Sequence, residues 1–165
     1  MRQGSQTAPE VQIVAFKLEE EEFAVDIHQV HEVLKLVPVT PLPQAAHFIE
    51  GVINLRGEVI PVIDLRKRFE LPAQERNNQT RIIIVEIEEH NVGLIVDFVT
   101  EVLRLPAEAI QPPPARVAGA RNELISGIGR LEGRLLIILN LAKILTMHAK
   151  IALEEVIPTP EEHSV

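Results

Sequence analysis

At 165 residues the chain is long enough for one domain, or for two small ones that share a core. Its 46% hydrophobic content includes five Phe but no Trp or Tyr, so the core has to be aliphatic, and the absence of cysteine excludes disulfide and thiolate chemistry. A net charge of −8 and the scarcity of aromatic rings weigh against nucleic-acid binding, which draws on basic patches and stacking platforms.

Residues 1–10 are polar and read as a flexible arm without the apolar stretch of a signal peptide. No run approaches the ~18 apolar residues of a membrane span, so a cytoplasmic protein is expected. Val14, Phe16 and Leu18 alternate as on one face of a strand, and residues 23–27 supply a second run. The four glutamates between them, residues 19–22, are expected as a solvated hairpin tip. Ile27, Val30, Val33 and Leu34 fall at helical spacing and predict a short helix over residues 26–34. Pro38, Pro41 and Pro43 lack ladder donors, so residues 37–43 are expected as a loop or edge strand that exposes Val37, Val39 and Leu42.

Residues 51–65, GVINLRGEVIPVIDL, read as two β-branched strands joined by a tight turn at Arg56-Gly57, where Gly57 takes positive φ without steric cost. Asp64 stands where a side chain caps a short helix over residues 65–70. A polar connector, residues 73–80, follows.

From Arg81 the chain starts again. An offset of 69 places Ile83, Val85 and Ile87 on Val14, Phe16 and Leu18. It also aligns VHEVLKL (30–36) with VTEVLRL (99–105), five identities in seven positions, which is too many for chance in unrelated segments. An offset of 76 then superimposes residues 51–69 on residues 127–145, with Asp64 and Asn140 both at N-cap positions. The difference between the offsets is absorbed in the proline-rich stretch before Asn122, since loops accept insertions at small entropic cost. The chain therefore holds two repeats, residues 11–72 and 81–146, each with about five strands and a brief helix. Two copies are too few for a solenoid. Units of this size suit small closed β-barrels packed over a shared apolar seam, and repetition alone leaves open whether the copies exchange strands. The remaining residues, 147–165, are expected to extend the last helix through Met147, Ile151, Leu153 and Val156, with Pro158 and Pro160 ending it before an acidic terminus.

Catalytic constellations are weak. His28, His31 and Glu32 would share a helix face and could offer a metal or small-ligand site, but the second repeat has Asp97, Thr100 and Glu101 there, which favours ordinary exposed positions. Ser5, Ser126 and Ser164 are the only serines and none lies in a nucleophile-elbow sequence. Asp26, Asp64 and Asp97 follow or end apolar runs, as caps do. No enzyme and no cofactor are expected. The repeats differ most at their hairpin tips, Asn54-Leu-Arg56-Gly against Arg130-Leu-Glu132-Gly, where the charge is reversed. The planar guanidinium of Arg56 suits an acidic or carbonyl-rich partner. Glu32 and Glu101 are common to both repeats, which favours a structural role such as a cap or an ion pair with a neighbouring basic residue.

The segment FIEGVINLRGEVIPVIDLR (48–66), with FAVDI (23–27), VHEV (30–33), VGLIVD (92–97), VTEVL (99–103) and the stretch from Gly127 to Leu141, resembles the chemotaxis coupling protein family CheW over about residues 11–146. The resemblance implies two SH3-like five-stranded β-barrels and a non-catalytic adaptor between the cytoplasmic tips of methyl-accepting chemoreceptors and the histidine kinase CheA. It implies a receptor-binding groove between the barrels, lined or supported by Val30, Glu32, Val33, Gly51, Asn54, Arg56 and Val102. It further implies a kinase-binding edge at Val37, Val39, Thr40 and Leu42, and a second partner interface at Gln111, Arg116 and Val117. Membrane insertion is not implied, and the protein would be a monomer in isolation and a component of receptor arrays. A CheW-like adaptor of a pilus or other receptor–kinase pathway fits the same residues.

Overall fold

Four consecutive side chains of the first strand, Ile13, Val14, Ala15 and Phe16, are buried. Neighbouring side chains on a strand point to opposite faces, so this strand serves two cores at once. The computed structural model, which describes residues 9–113 and 123–144, shows how.

The strands are β1 (Glu10–Leu18), β2 (Glu21–Asp26), β3 (Val30–Lys35), β4 (Ile49–Leu55), β5 (Glu58–Asp64), β6 (Arg81–Ile87), β7 (His90–Val96), β8 (Phe98–Pro106), β9 (Ile110–Gln111), β10 (Ile125–Leu131) and β11 (Arg134–Leu139). Two single-turn helices, α1 (Leu65–Arg68) and α2 (Leu141–Ile144), follow β5 and β11. The strands form two curled sheets, ordered β8-β1-β2-β11-β10-β9 (barrel A) and β3-β6-β7-β5-β4 (barrel B). Barrel A has six strands rather than five because the two-residue β9 pairs with β10.

Neither repeat builds a barrel alone. Barrel A takes β1 and β2 from the first repeat and β8 to β11 from the second, and barrel B takes the rest. The repeats are stitched by parallel pairs, Ile137 opposite Phe23 in barrel A and Val62 opposite Gly93 in barrel B. The chain crosses between barrels twice, after Asp26 and after Val96.

Three cores result. Ile13, Ala15, Ala24, Leu105, Leu136 and Ile138 fill barrel A. Ile53, Ile60, Val62, Ile82, Ile84 and Ile95 fill barrel B. The largest lies between them: Val14, Phe16 and Leu18 of β1 meet Ile83, Val85 and Ile87 of β6 in one cluster. These are the two stripes related by the offset of 69, and they form the expected seam.

Two local expectations are corrected. Residues 26–34 are not a helix. Asp26 caps a single 3₁₀ turn, Ile27–Gln29, accepting from the His28 amide at 2.8 Å, and β3 begins at Val30. The helix-like spacing arises because a β-bulge lies between Val30 and Glu32 in the pairing with β6, which shifts the alternation by one residue. The solvated tip of four glutamates holds only in part. Glu19, Glu20 and Glu21 are exposed, the first two in the turn and Glu21 at the start of β2, whereas Glu22 of β2 is drawn into an ion pair with Arg134. Asp64 caps α1 as expected, accepting from the Arg66 amide at 2.9 Å. No helix of the described residues is long and apolar enough to cross a membrane. Residues 1–8 of the arm, the expected tail and the loop of residues 114–122 lie outside the described residues.

Candidate functional site

The β4–β5 hairpin turns through Arg56 (φ 52°) and Gly57 (φ 89°), and β10–β11 repeats it through Glu132 (φ 50°) and Gly133 (φ 81°). Two positive φ values suit the twist of a two-residue hairpin loop. Asn54 accepts from the Gly57 amide at 2.9 Å, so it tightens the turn. Arg56 then projects outward with 70% of its side chain exposed and pairs with Glu32 of β3.

Barrel A solves the same problem from the other flank of its turn. Glu101 of β8, the equivalent of Glu32, pairs at 3.0 Å with Arg134, which follows Gly133 rather than preceding it. Arg134 also donates to Glu22 from Nε at 3.1 Å and from Nη2 at 2.5 Å. The Arg134 guanidinium holds the Glu22 carboxyl below its ordinary value, outweighing the opposing effect of burial. Both shared glutamates thus sit in ion pairs, as their recurrence suggested.

Val33 and Val102 occupy equivalent positions of β3 and β8, and both are exposed, by 41% and 52%. Three residues earlier on the same strands, Val30 and Val99 pack against the seam core. Both strands therefore run from the seam outward to an exposed valine. Each ends its sheet in strand order.

Gly51 is buried and lines no surface. A Cβ there would lie 2.0 Å from the Thr40 carbonyl oxygen, so glycine is what lets the preceding strap lie against β4. That strap is held by two bonds of 2.8 Å between the backbones of Thr40 and Val52. It corrects the expectation of three exposed apolar residues. Val37 is exposed, but Val39 packs on the barrel B core and Leu42 on the seam. Gln111 is the barrel A counterpart of Thr40, pairing with Ile128 as Thr40 pairs with Val52. Arg116 and Val117 lie outside the described residues.

The histidine constellation does not converge. His28 pairs with Asp26 at 3.0 Å, His31 with Glu86 at 3.1 Å, and Glu32 with Arg56. With residues 30–35 a strand, the helix face that would have gathered them does not exist. No group of three potential metal ligands occurs among the described residues.

Three residues of consequence were not singled out from sequence. Glu58 and Arg134 are two of them, and the offset of 76 that pairs them with opposite charge is the signal that marks them. Arg66 is the third. Its side chain is 8% exposed and donates to Asp97 at 2.8 and 2.6 Å, to Glu19 at 2.5 Å, to the Pro72 carbonyl at 2.7 Å, and to Gln74. It ties the β1–β2 turn of barrel A to α1 beside barrel B, at the second crossover of the chain. Ala142 stands at its place in the second repeat, so no repetition marks it.

A family model described as "CheW-like domain" matches residues 12–149. The chain is 36% identical over 135 residues to a chemotaxis protein CheW of Klebsiella aerogenes, covering 82% of this chain and 81% of that one. It is 38% identical over 128 residues to a chemotaxis protein CheW of Bacillus subtilis, covering 78% and 82%. The crystal structure of the scaffolding protein TtCheW from Thermoanaerobacter tengcongensis superimposes with a TM-score of 0.80 at 42% identity, covering 86% of this chain and 96% of the other.

Proposed function

The chain belongs to the family of CheW-like chemotaxis scaffold proteins, and on that premise we propose that it is a non-catalytic adaptor joining the cytoplasmic tip of methyl-accepting chemoreceptors to the histidine kinase CheA. It acts in the cytoplasm, at the inner face of the membrane through the receptors it binds. The observation that carries this reading is the matched pair Val33 and Val102, exposed at equivalent points of two strands that leave the seam. A helical hairpin laid between the barrels would cover both valines, a common way for apolar anchors to be buried by a partner helix. Arg56, held by Glu32, stands at the tip of the neighbouring hairpin and would meet a carboxylate or carbonyl of the receptor.

The kinase regulatory domain would take the strap, through Val37 and Thr40. Val39 and Leu42 support that surface from beneath because their side chains face the cores. Gln111, on the matching edge of barrel A, would meet the second partner together with Arg116 and Val117.

Binding of a receptor cytoplasmic fragment and of the kinase regulatory domain, each measured separately, tests the assignment. Arg56→Glu is expected to weaken the receptor contact by about 1–3 kcal/mol, the range for losing a charged hydrogen bond at an interface, and to leave the kinase contact unchanged. Val37→Asp is expected to do the reverse. Loss of both affinities in either folded variant would merge the two surfaces into one.

A further inference from the structure

At the hairpin end of barrel A a guanidinium fills the space between two carboxylates. Arg134 lies with Glu22 on one side, at 2.5 Å, and Glu101 on the other, at 3.0 Å. The equivalent positions of barrel B are Glu58, Asn91 and Glu32, and the place of the guanidinium is a cavity of about 270 Å³. Its floor is Ile60 and Ile84 of the barrel B core with Leu55 packed against them, and its rim carries those three polar residues together with His31 and Arg56.

The charges around this cavity are not closed as they are in barrel A. Glu32 is met by Arg56, which lines the rim and keeps 70% of its side chain exposed. Glu58 has the neutral Asn91 amide, at 3.0 and 3.3 Å, and no cation pairs with it among the described residues. Position 58 is where the second repeat supplies its arginine. The first repeat has a carboxylate there instead, and among the described residues no guanidinium bridges Glu58 and Glu32.

We propose that this cavity binds an arginine side chain of the protein that docks beside the Arg56 hairpin, in the manner that barrel A binds its own Arg134. The identity of that protein as a chemoreceptor rests on the reading above. Arginine fits better than lysine for two reasons. The barrel A counterpart shows a planar fork spanning two carboxylates, a geometry an ammonium cannot reproduce. The apolar floor would also take the aliphatic stem while the head stays at the rim. Arg56 and the incoming arginine then share the two glutamates, and docking adds a cation where the free protein has an uncompensated carboxylate.

The test is titration of the ¹⁵N-labelled full chain with ethylguanidinium at constant ionic strength, beside ethylammonium. Shifts are expected at the amides of Gly57, Glu58 and Asn91, larger with ethylguanidinium. The double variant Glu58→Arg, Asn91→Glu rebuilds the arrangement of barrel A; it is expected to fold with an undiminished melting temperature and to lose these shifts. Glu58→Gln, which keeps size and shape, is expected to reduce them. No shifts in the wild type, or equal shifts in the double variant, would overturn the proposal. In a second arm the receptor fragment is expected to bind the wild type and to lose affinity for the double variant. Equal binding to both would overturn the choice of occupant. A fragment that fails to bind the wild type would instead overturn the docking reading, and the ethylguanidinium titration would still decide the cavity.

Discussion

The two hairpin tips, one at Arg56-Gly57 and the other at Glu132-Gly133, share a backbone and differ in where they keep their arginine. In barrel A, Arg134 follows the turn, reaches two carboxylates and is 34% exposed. In barrel B, Arg56 is the first residue of the turn, reaches one carboxylate and is 70% exposed. The first arrangement is closed and serves the fold. The second leaves a cation with most of its surface in water, a carboxylate held by an amide alone, and a cavity between them. One hairpin end thus carries a closed ion-pair cluster drawn from both repeats, and the other leaves the corresponding charges open to solvent.

That contrast can be broken at three points, the largest first. Arg66 has no counterpart in the second repeat, and its removal tests whether the repeats are unequal in stability as well as surface. Arg66→Ala should cost about 3–5 kcal/mol in denaturant unfolding, because it leaves Asp97 and Glu19 without their buried partner. A loss under about 1 kcal/mol would mean that the network is no more than a surface ion pair.

Removing each hairpin arginine sharpens the comparison directly. Arg134→Ala should destabilise by about 1–3 kcal/mol, since Glu22 is largely buried and loses a two-point partner. Arg56→Ala should stay within about 0.5 kcal/mol of the wild type, as expected of an exposed pair. Equal losses would remove the distinction between a closed and an open hairpin arginine.

The smallest effect is a pH dependence at Glu22 of barrel A. The folded-state pKa of Glu22 is depressed below the ordinary value of 4.5, chiefly by Arg134. A depressed carboxyl stabilises the fold above its unfolded pKa, and the contribution disappears as pH falls through the folded value. Unfolding free energy from neutral pH down through the acid range should therefore fall more steeply in the wild type than in Glu22→Gln. The variant should be the less stable of the two at neutral pH. Asn91, at the same place in barrel B, has no proton to gain, so Asn91→Gln should leave the acid limb unchanged.

Much of the candidate site could be read from residues alone. The exposed turn arginine follows from a Gly at the second position of a two-residue loop, and the ion pairs of Glu32 and Glu101 follow from their recurrence. Glu58 and Arg134 could have been read in the same way from their opposed charges. What stayed hidden depends on partners distant in sequence. Arg134 meets Glu22 across 112 residues of sequence, and Val39 turns inward because the strap is pulled onto β4 at Thr40. Residues 30–35 have an apolar spacing that fits a helix, and only their pairing with β6, bulge included, makes them a strand.

By itself the sequence determined that this protein is a duplicated, aliphatic β structure whose units share an apolar seam, with an arginine at one hairpin tip. Periodicity, turn chemistry and repetition are local or self-similar, and each leaves its mark on the order of residues. The tertiary structure alone decided that the repeats trade strands, so that the seam joins two mixed barrels rather than two copies. Strand order is settled by which edges find each other after the chain has folded back. The parallel pairs of β2 with β11 and of β5 with β7 bury edges that neither repeat could have covered alone.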